Sequence, residues 1–150
     1  MGSESQPVEI LLVEDEPASA RLVQEALKGS SVALHLRVAQ DGEQALAMVR
    51  REGCYARAAV PDLILLDLRL PRKDGFAVLS ELKQDAAFTR IPVVMLTTSS
   101  SEADIDRSYA LGANAYVVKP RNLGQVMTVI TSIADFWCAA ATLPSVHSLP

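Results

Sequence analysis

Residues 61–71 read PDLILLDLRLP. Four apolar residues, Leu63 to Leu66, run without a break, and Leu68 lies just beyond. A continuous apolar run of this length is what a strand covered on both faces requires, as in a parallel sheet. An aspartate, Asp67, follows at once. Taken alone, Asp67 reads as a turn residue closing a buried strand, because short polar side chains bond their own backbone there. What stands at the ends of the other strands decides whether it does more.

Four further strand-like runs flank this one: VEILLV (8–13), ALHLRVA (33–39), PVVMLT (92–97) and AYVV (115–118), with the central run at 62–66. The second alternates, as a half-exposed edge strand does. Helical segments separate them. PASARLVQEALKG carries Leu22, Val23, Ala26 and Leu27 at helical spacing, with Pro17 in its first turn and Gly29 at its end. DGEQALAMVRR opens with Asp41 and Gln44 as a capping box. DGFAVLSELKQD turns Phe76, Leu79 and Leu82 inward, and Asp74-Gly75 reads as its turn and start. SEADIDRSYALG has Ser101 and Asp104 as its opening box and Gly112 as its stop. NLGQVMTVITSIADFW (122–137) is the last helix, with Leu123, Val126, Ile130, Ile133 and Trp137 on its core stripe. Strict strand–helix alternation predicts an α/β fold, a doubly wound parallel sheet with helices on both faces. The working crevice of such a sheet lies at the carboxyl ends of the strands, where strand order reverses.

The chain has 150 residues, 49% hydrophobic and 21% charged, which suits one domain with a real core. The expected division is a disordered N-terminus at 1–7, a domain at 8–138 and a tail or arm at 139–150. A formal net charge of -4 argues against nucleic acid as a partner, since phosphate neutralisation needs clustered Lys and Arg. No apolar run reaches the roughly eighteen residues of a membrane span, and MGSESQP lacks the order of a secretory signal. Cys54 and Cys138 match no metal spacing. His35 and His147 have no ligand partner in the pattern and read as solvated. These features predict a reduced, cytoplasmic protein without membrane or nucleic-acid contact.

The strands end on chemically expressive residues. Glu14 and Asp15 follow the first, Asp67 the third, Thr97 and Thr98 the fourth, and Lys119-Pro120 the fifth. The doubly wound topology would gather three carboxylates, a hydroxyl and an ammonium. Carboxylates at such spacing repel, and a hard divalent cation resolves the repulsion. Carboxylates with waters and a backbone carbonyl suit Mg²⁺, usually shared with a phosphate. An aspartate is a competent nucleophile for phosphoryl transfer, and a lysine can reach a phosphate oxygen as a mobile point charge. Each group has a plainer reading alone: helix-dipole partners for Glu14 and Asp15, a strand residue for Thr97, a turn for Lys119-Pro120 and a half-buried sheet residue for Tyr116. Only the set points to one pocket.

The order LLVEDE, LILLDLRLP, DG, VVMLTT and YVVKP, over residues 8 to about 137, resembles the receiver domain of two-component response regulators. PRKDG, IPVVMLTTSS, RSYALGANAYVVKP and IADFW resemble its single-domain members that partner phytochrome-type histidine kinases. The resemblance implies a flavodoxin-like (βα)5 fold of strand order 2-1-3-4-5. It implies Asp67 as phosphoacceptor, served by a histidine kinase. Asp15 would hold Mg²⁺ (or Mn²⁺) directly and Glu14 through water, with Asp67 and the backbone carbonyl of Arg69 completing the protein ligands. Thr97, Thr98 and Lys119 would bind phosphate, Thr97 and Tyr116 would switch, and the Lys119–Pro120 bond would be cis. Arg69 departs from the commonest residue at its place, where Asn or Met often stands.

Four readings compete. A phosphoryl-triggered switch assists only its own phosphorylation and hydrolysis and turns over no external substrate. An aspartyl phosphatase would need a second aspartate where Arg69 stands. A flavin or dinucleotide binder would need a glycine-rich turn where EDEPAS stands. A pseudo-receiver serving only dimerisation leaves the acidic and basic set without a use. The residues after 140 leave no room for an output domain, which predicts signalling by protein contact. Val129 and Phe136 fall off the core stripe of the last helix, and Ile105 and Tyr109 extend the surplus. Together with Trp137 they predict a symmetric homodimer through the fourth and fifth helices and the C-terminal arm.

Overall fold

The central run is strand β3 (Leu63–Leu66), and all four residues are buried. In this computed structural model, which describes residues 6–145, β3 lies in the middle of a parallel sheet ordered β2-β1-β3-β4-β5. Its companions are β1 (Val8–Val13), β2 (Leu34–Ala39), β4 (Val93–Thr97) and β5 (Ala115–Val118). Successive side chains of a strand point to opposite faces, so each inner strand feeds two cores. Leu11, Val13, Ile64, Leu66, Val93 and Met95 enter one, and Ile10, Leu12, Leu63, Leu65, Val94 and Leu96 the other. The first core is closed by α2 (Gly42–Arg50) and α3 (Gly75–Gln84), the second by α1 (Pro17–Lys28) and α5 (Leu123–Ala134). Helix α4 (Glu102–Ala110) is more polar and buries only Ser108.

The start signals act as their residue types require. Asp41 accepts from the Gln44 amide at 2.7 Å, Asp74 from the Ala77 amide at 2.9 Å and Asn122 from the Gln125 amide at 3.1 Å. Gln44 returns its bond to the Gln40 amide rather than to Asp41, one residue further out than the simplest capping box. Gly112, just past α4, has φ +108°, a conformation glycine adopts without cost.

Two expectations change. Leu123, placed on the core stripe, is 69% exposed at the first position of α5. The last helix does not stop at 137. It widens into a π-helical turn, Asp135–Ala140, which turns Phe136 outward while Trp137 stays packed on the second core. The combined helix Leu123–Ala140 is long and apolar enough to cross a membrane by length and composition, though Val126, Ile130, Ile133 and Ala134 bury against the sheet. His35, read as solvated, is exposed, and parallel register sets it beside Glu9 with Nδ1 2.8 Å from the carboxylate. His147 and most of the segment expected to be disordered lie outside the described residues.

Cys54 is exposed in a short 3-10 turn, Gly53–Tyr55. Cys138 packs under the last turn, where burial pushes its thiol up to about 11.

Candidate functional site

Strand register builds the site. Val13 pairs with Leu66, so Glu14 and Asp67 leave adjacent strands side by side. Thr97 pairs with Val118, which sets Lys119 one residue beyond and across from it. The chain leaves β1 toward β2 on one side and reaches β3 on the other, so the strand order reverses at this point.

Carboxylate oxygens of Glu14, Asp15 and Asp67 lie within 4.8 Å of one another. Glu14 is buried, Asp15 exposed and Asp67 between the two. The Lys119 ammonium binds Glu14 directly, stands 3.8 Å from Asp67 Oδ2 and donates to Ser19 Oγ at 3.1 Å. Asp67 Oδ1 accepts from the Leu68 amide at 2.7 Å. Burial raises the Asp67 carboxyl above its ordinary value, and Glu14 adds to this, while Lys119, the Thr97 hydroxyl and the Leu68 amide oppose it. Three acids this close, one buried and one exposed, are a donor set suited to a hard divalent cation.

Thr97 is wholly buried and Thr98 exposed, since neighbouring residues at a strand end face opposite ways. Only Thr97 stands against Asp67. The Tyr116 hydroxyl donates to the Ser99 carbonyl at 2.8 Å, and burial pushes its phenol up, keeping the donor proton in place. The Lys119–Pro120 bond, expected cis, is trans: no described peptide is cis. Trans is the intrinsically favoured isomer even before proline, and Lys119 reaches the acids from that backbone.

Two contributors escaped the sequence reading. Ser19, in the first turn of α1, helps hold the ammonium and carries no signal beyond its nearness to the acidic pair. Gly75 lies directly under the acceptor loop. Its amide donates to the Leu68 carbonyl at 2.9 Å, and a Cβ there would sit 2.2 Å from the Asp67 carbonyl oxygen. The pair Asp74-Gly75 was its only trace.

Residues 10–131 match the response regulator receiver domain. The chain belongs to that family. As a receiver domain it is 47% identical over 146 residues to the response regulator Rcp1 of Synechocystis sp., covering 97% of this chain and 99% of that one. Its fold superposes on the phosphorylated cyanobacterial phytochrome response regulator RcpA with TM-score 0.91 and 50% identity, covering 93% of this chain and all of that one. It is also similar to the Mn²⁺-bound form of Rcp1, at TM-score 0.90 and 47% identity over 93% of this chain and 100% of that chain. The chain is thus a response regulator receiver similar to phytochrome-linked ones, and its acidic cluster fits a divalent metal.

Proposed function

We propose that Asp67 accepts a phosphoryl group from the phosphohistidine of a histidine kinase, one coupled to a phytochrome-type photoreceptor. The observation that carries this is the Lys119 ammonium 3.8 Å from the Asp67 carboxylate, in the pocket that also holds Glu14 and Asp15. An Asp67 oxygen bonds to phosphorus as the phosphorus–nitrogen bond of phosphohistidine breaks, and the nitrogen keeps the electron pair. Lys119 and the Thr97 hydroxyl then hold phosphoryl oxygens. Glu14, Asp15, Asp67 and the Arg69 carbonyl would hold Mg²⁺, or Mn²⁺, which supplies charge screening between the carboxylate and the phosphoryl group. Thr98, at the exposed rim, is the weaker candidate for a phosphate contact.

Movement of Thr97 toward the new charge draws the Tyr116 ring with it and reshapes the surface around β5. The protein turns over no external substrate. This reading places it in the cytoplasm, where reduced thiols such as Cys54 and Cys138 persist.

The surface so altered fits a second copy of the chain. Tyr109 and Phe136 are 50% and 56% exposed, and Val117, Val129, Phe136 and Trp137 line an open apolar groove beside edge strand β5. Only 28% of Leu123–Ala140 is buried. Ile105, on α4, is half-buried. Sedimentation velocity at tens of micromolar, an order-of-magnitude choice, should show a dimer, and Phe136→Asp a monomer. A monomeric parent protein would refute the dimer.

The acceptor assignment is tested with acetyl phosphate and Mg²⁺. An acid-stable, base-labile adduct is expected, absent in Asp67→Asn and much slower to form with a chelator. Labelling that persists in the Asn variant would show that the acceptor lies elsewhere.

A further inference from the structure

Asp104, in the first turn of α4, gathers two groups, one from the loop after β3 that carries Asp67 and one from the loop after β4. One carboxylate oxygen, Oδ2, accepts from Arg69 at 3.2 Å and from the Ser99 hydroxyl at 2.6 Å. Arg69 is two residues past Asp67, and Ser99 two past Thr97. Asp104 itself is well fixed. Its amide donates to Ser101 Oγ at 3.3 Å, and its carbonyl accepts from the buried Ser108 hydroxyl at 2.8 Å. Ser99 in turn carries the Tyr116 hydroxyl on its carbonyl.

The Arg69 side chain is 71% exposed, so its pair with Asp104 contributes little to stability. Its position matters more than its strength. A guanidinium matches phosphate geometry in a two-pronged way, and this one springs from the acceptor's own loop, two residues past Asp67. We propose that Asp104 is a positioning residue: it draws Arg69 toward α4 and away from the mouth of Asp67, so that Asp104 and the phosphoryl group compete for one cation. The inference rests on Asp67 as the acceptor.

The competition has a direction. With Arg69 held by Asp104, an anionic donor approaches the pocket without its help, and water reaches the acyl phosphate freely. Releasing Arg69 adds a positive charge at the entry, which attracts the donor and then covers the bound phosphoryl group. The same exchange would loosen the Ser99 loop, tying the start of α4 to the phosphorylation state.

Asp104→Asn keeps an acceptor for Ser99 but discards the charge that holds Arg69. The full chain is labelled with acetyl phosphate and Mg²⁺, then freed of donor, and adduct formation and decay are followed. Asp104→Asn should speed labelling roughly three- to tenfold and slow decay by a similar factor. Arg69→Ala alone should change either rate by less than about twofold, because the group removed is already occupied. In the Arg69→Ala background, Asp104→Asn should have no further effect. Asp104→Asn acting equally with and without Arg69, or Arg69→Ala alone sharply slowing labelling, would overturn the proposal. Failure of the parent protein to label, or labelling of Asp67→Asn, would instead refute the acceptor assignment, so the two are separable.

Discussion

Gly75→Ala should lose phosphoryl labelling and cost on the order of 3 kcal/mol or more of folding stability, beyond the usual range for overpacking. The added methyl would lie 2.2 Å from the Asp67 carbonyl oxygen and 2.8 Å from Leu68 Cα. Both are backbone atoms, and a backbone cannot yield as a flexible side chain can. The strand end must therefore shift, and Asp67 shifts with it, off the line of Lys119 and Glu14. For a chain of this length each kcal/mol moves the melting temperature by about 2–4 °C, so a drop of roughly 6–12 °C is expected. Gly29→Ala is the control. Its methyl would meet nothing nearer than the Ala26 carbonyl oxygen at 3.8 Å, so it should be neutral or slightly stabilising. Melting curves and labelling of both variants decide the matter, and a Gly75→Ala protein with parental melting and labelling would contradict the close-approach account.

Lys119→Met has the second large effect. Lys119 and Glu14 are 9% and 3% exposed, and removing one member of such a pair strands a buried charge. Breaking a buried pair costs about 3–5 kcal/mol. The three acids would then face each other without a cation. Denaturant unfolding at neutral pH should show this loss, and millimolar Mg²⁺ should restore part of it. The double variant Glu14→Gln with Lys119→Met should lose much less than the sum of the singles, because no stranded charge remains. A single Lys119→Met within about 1 kcal/mol of the parent would mean that the pair is better solvated than its burial indicates.

The strands were legible because their signal is local. Leu63–Leu66 and Val93–Thr97 could only be covered on both faces, and alternation of strand and helix then dictated a parallel sheet. The gathering of Glu14, Asp15, Asp67, Thr97 and Lys119 followed from the topology, since Thr97 ends its strand and each of the others sits one or two residues beyond one. Groups set by tertiary contact were not legible. Gly75 looks like any turn glycine until the Asp67 carbonyl is seen above it. Ser19 and Asp104 act through partners about 100 and 35 residues away in the chain, at distances no spacing rule encodes. Leu123 misled because helical period says which face a residue takes, not whether anything lies beneath it. Helical period alone set Trp137 on the core stripe and Phe136 off it, and the widened turn keeps that separation.

That separation has an optical consequence. Trp137 is the chain's one tryptophan, its indole edge-on to the Phe136 ring at 5.3 Å between centroids. One ring is anchored in the core and the other offered to solvent, so whatever settles on the outer ring alters the polarity felt by the inner one. The protein therefore carries an intrinsic fluorophore at the seam between its interior and its apolar flank, and emission colour can register events there without any attached dye.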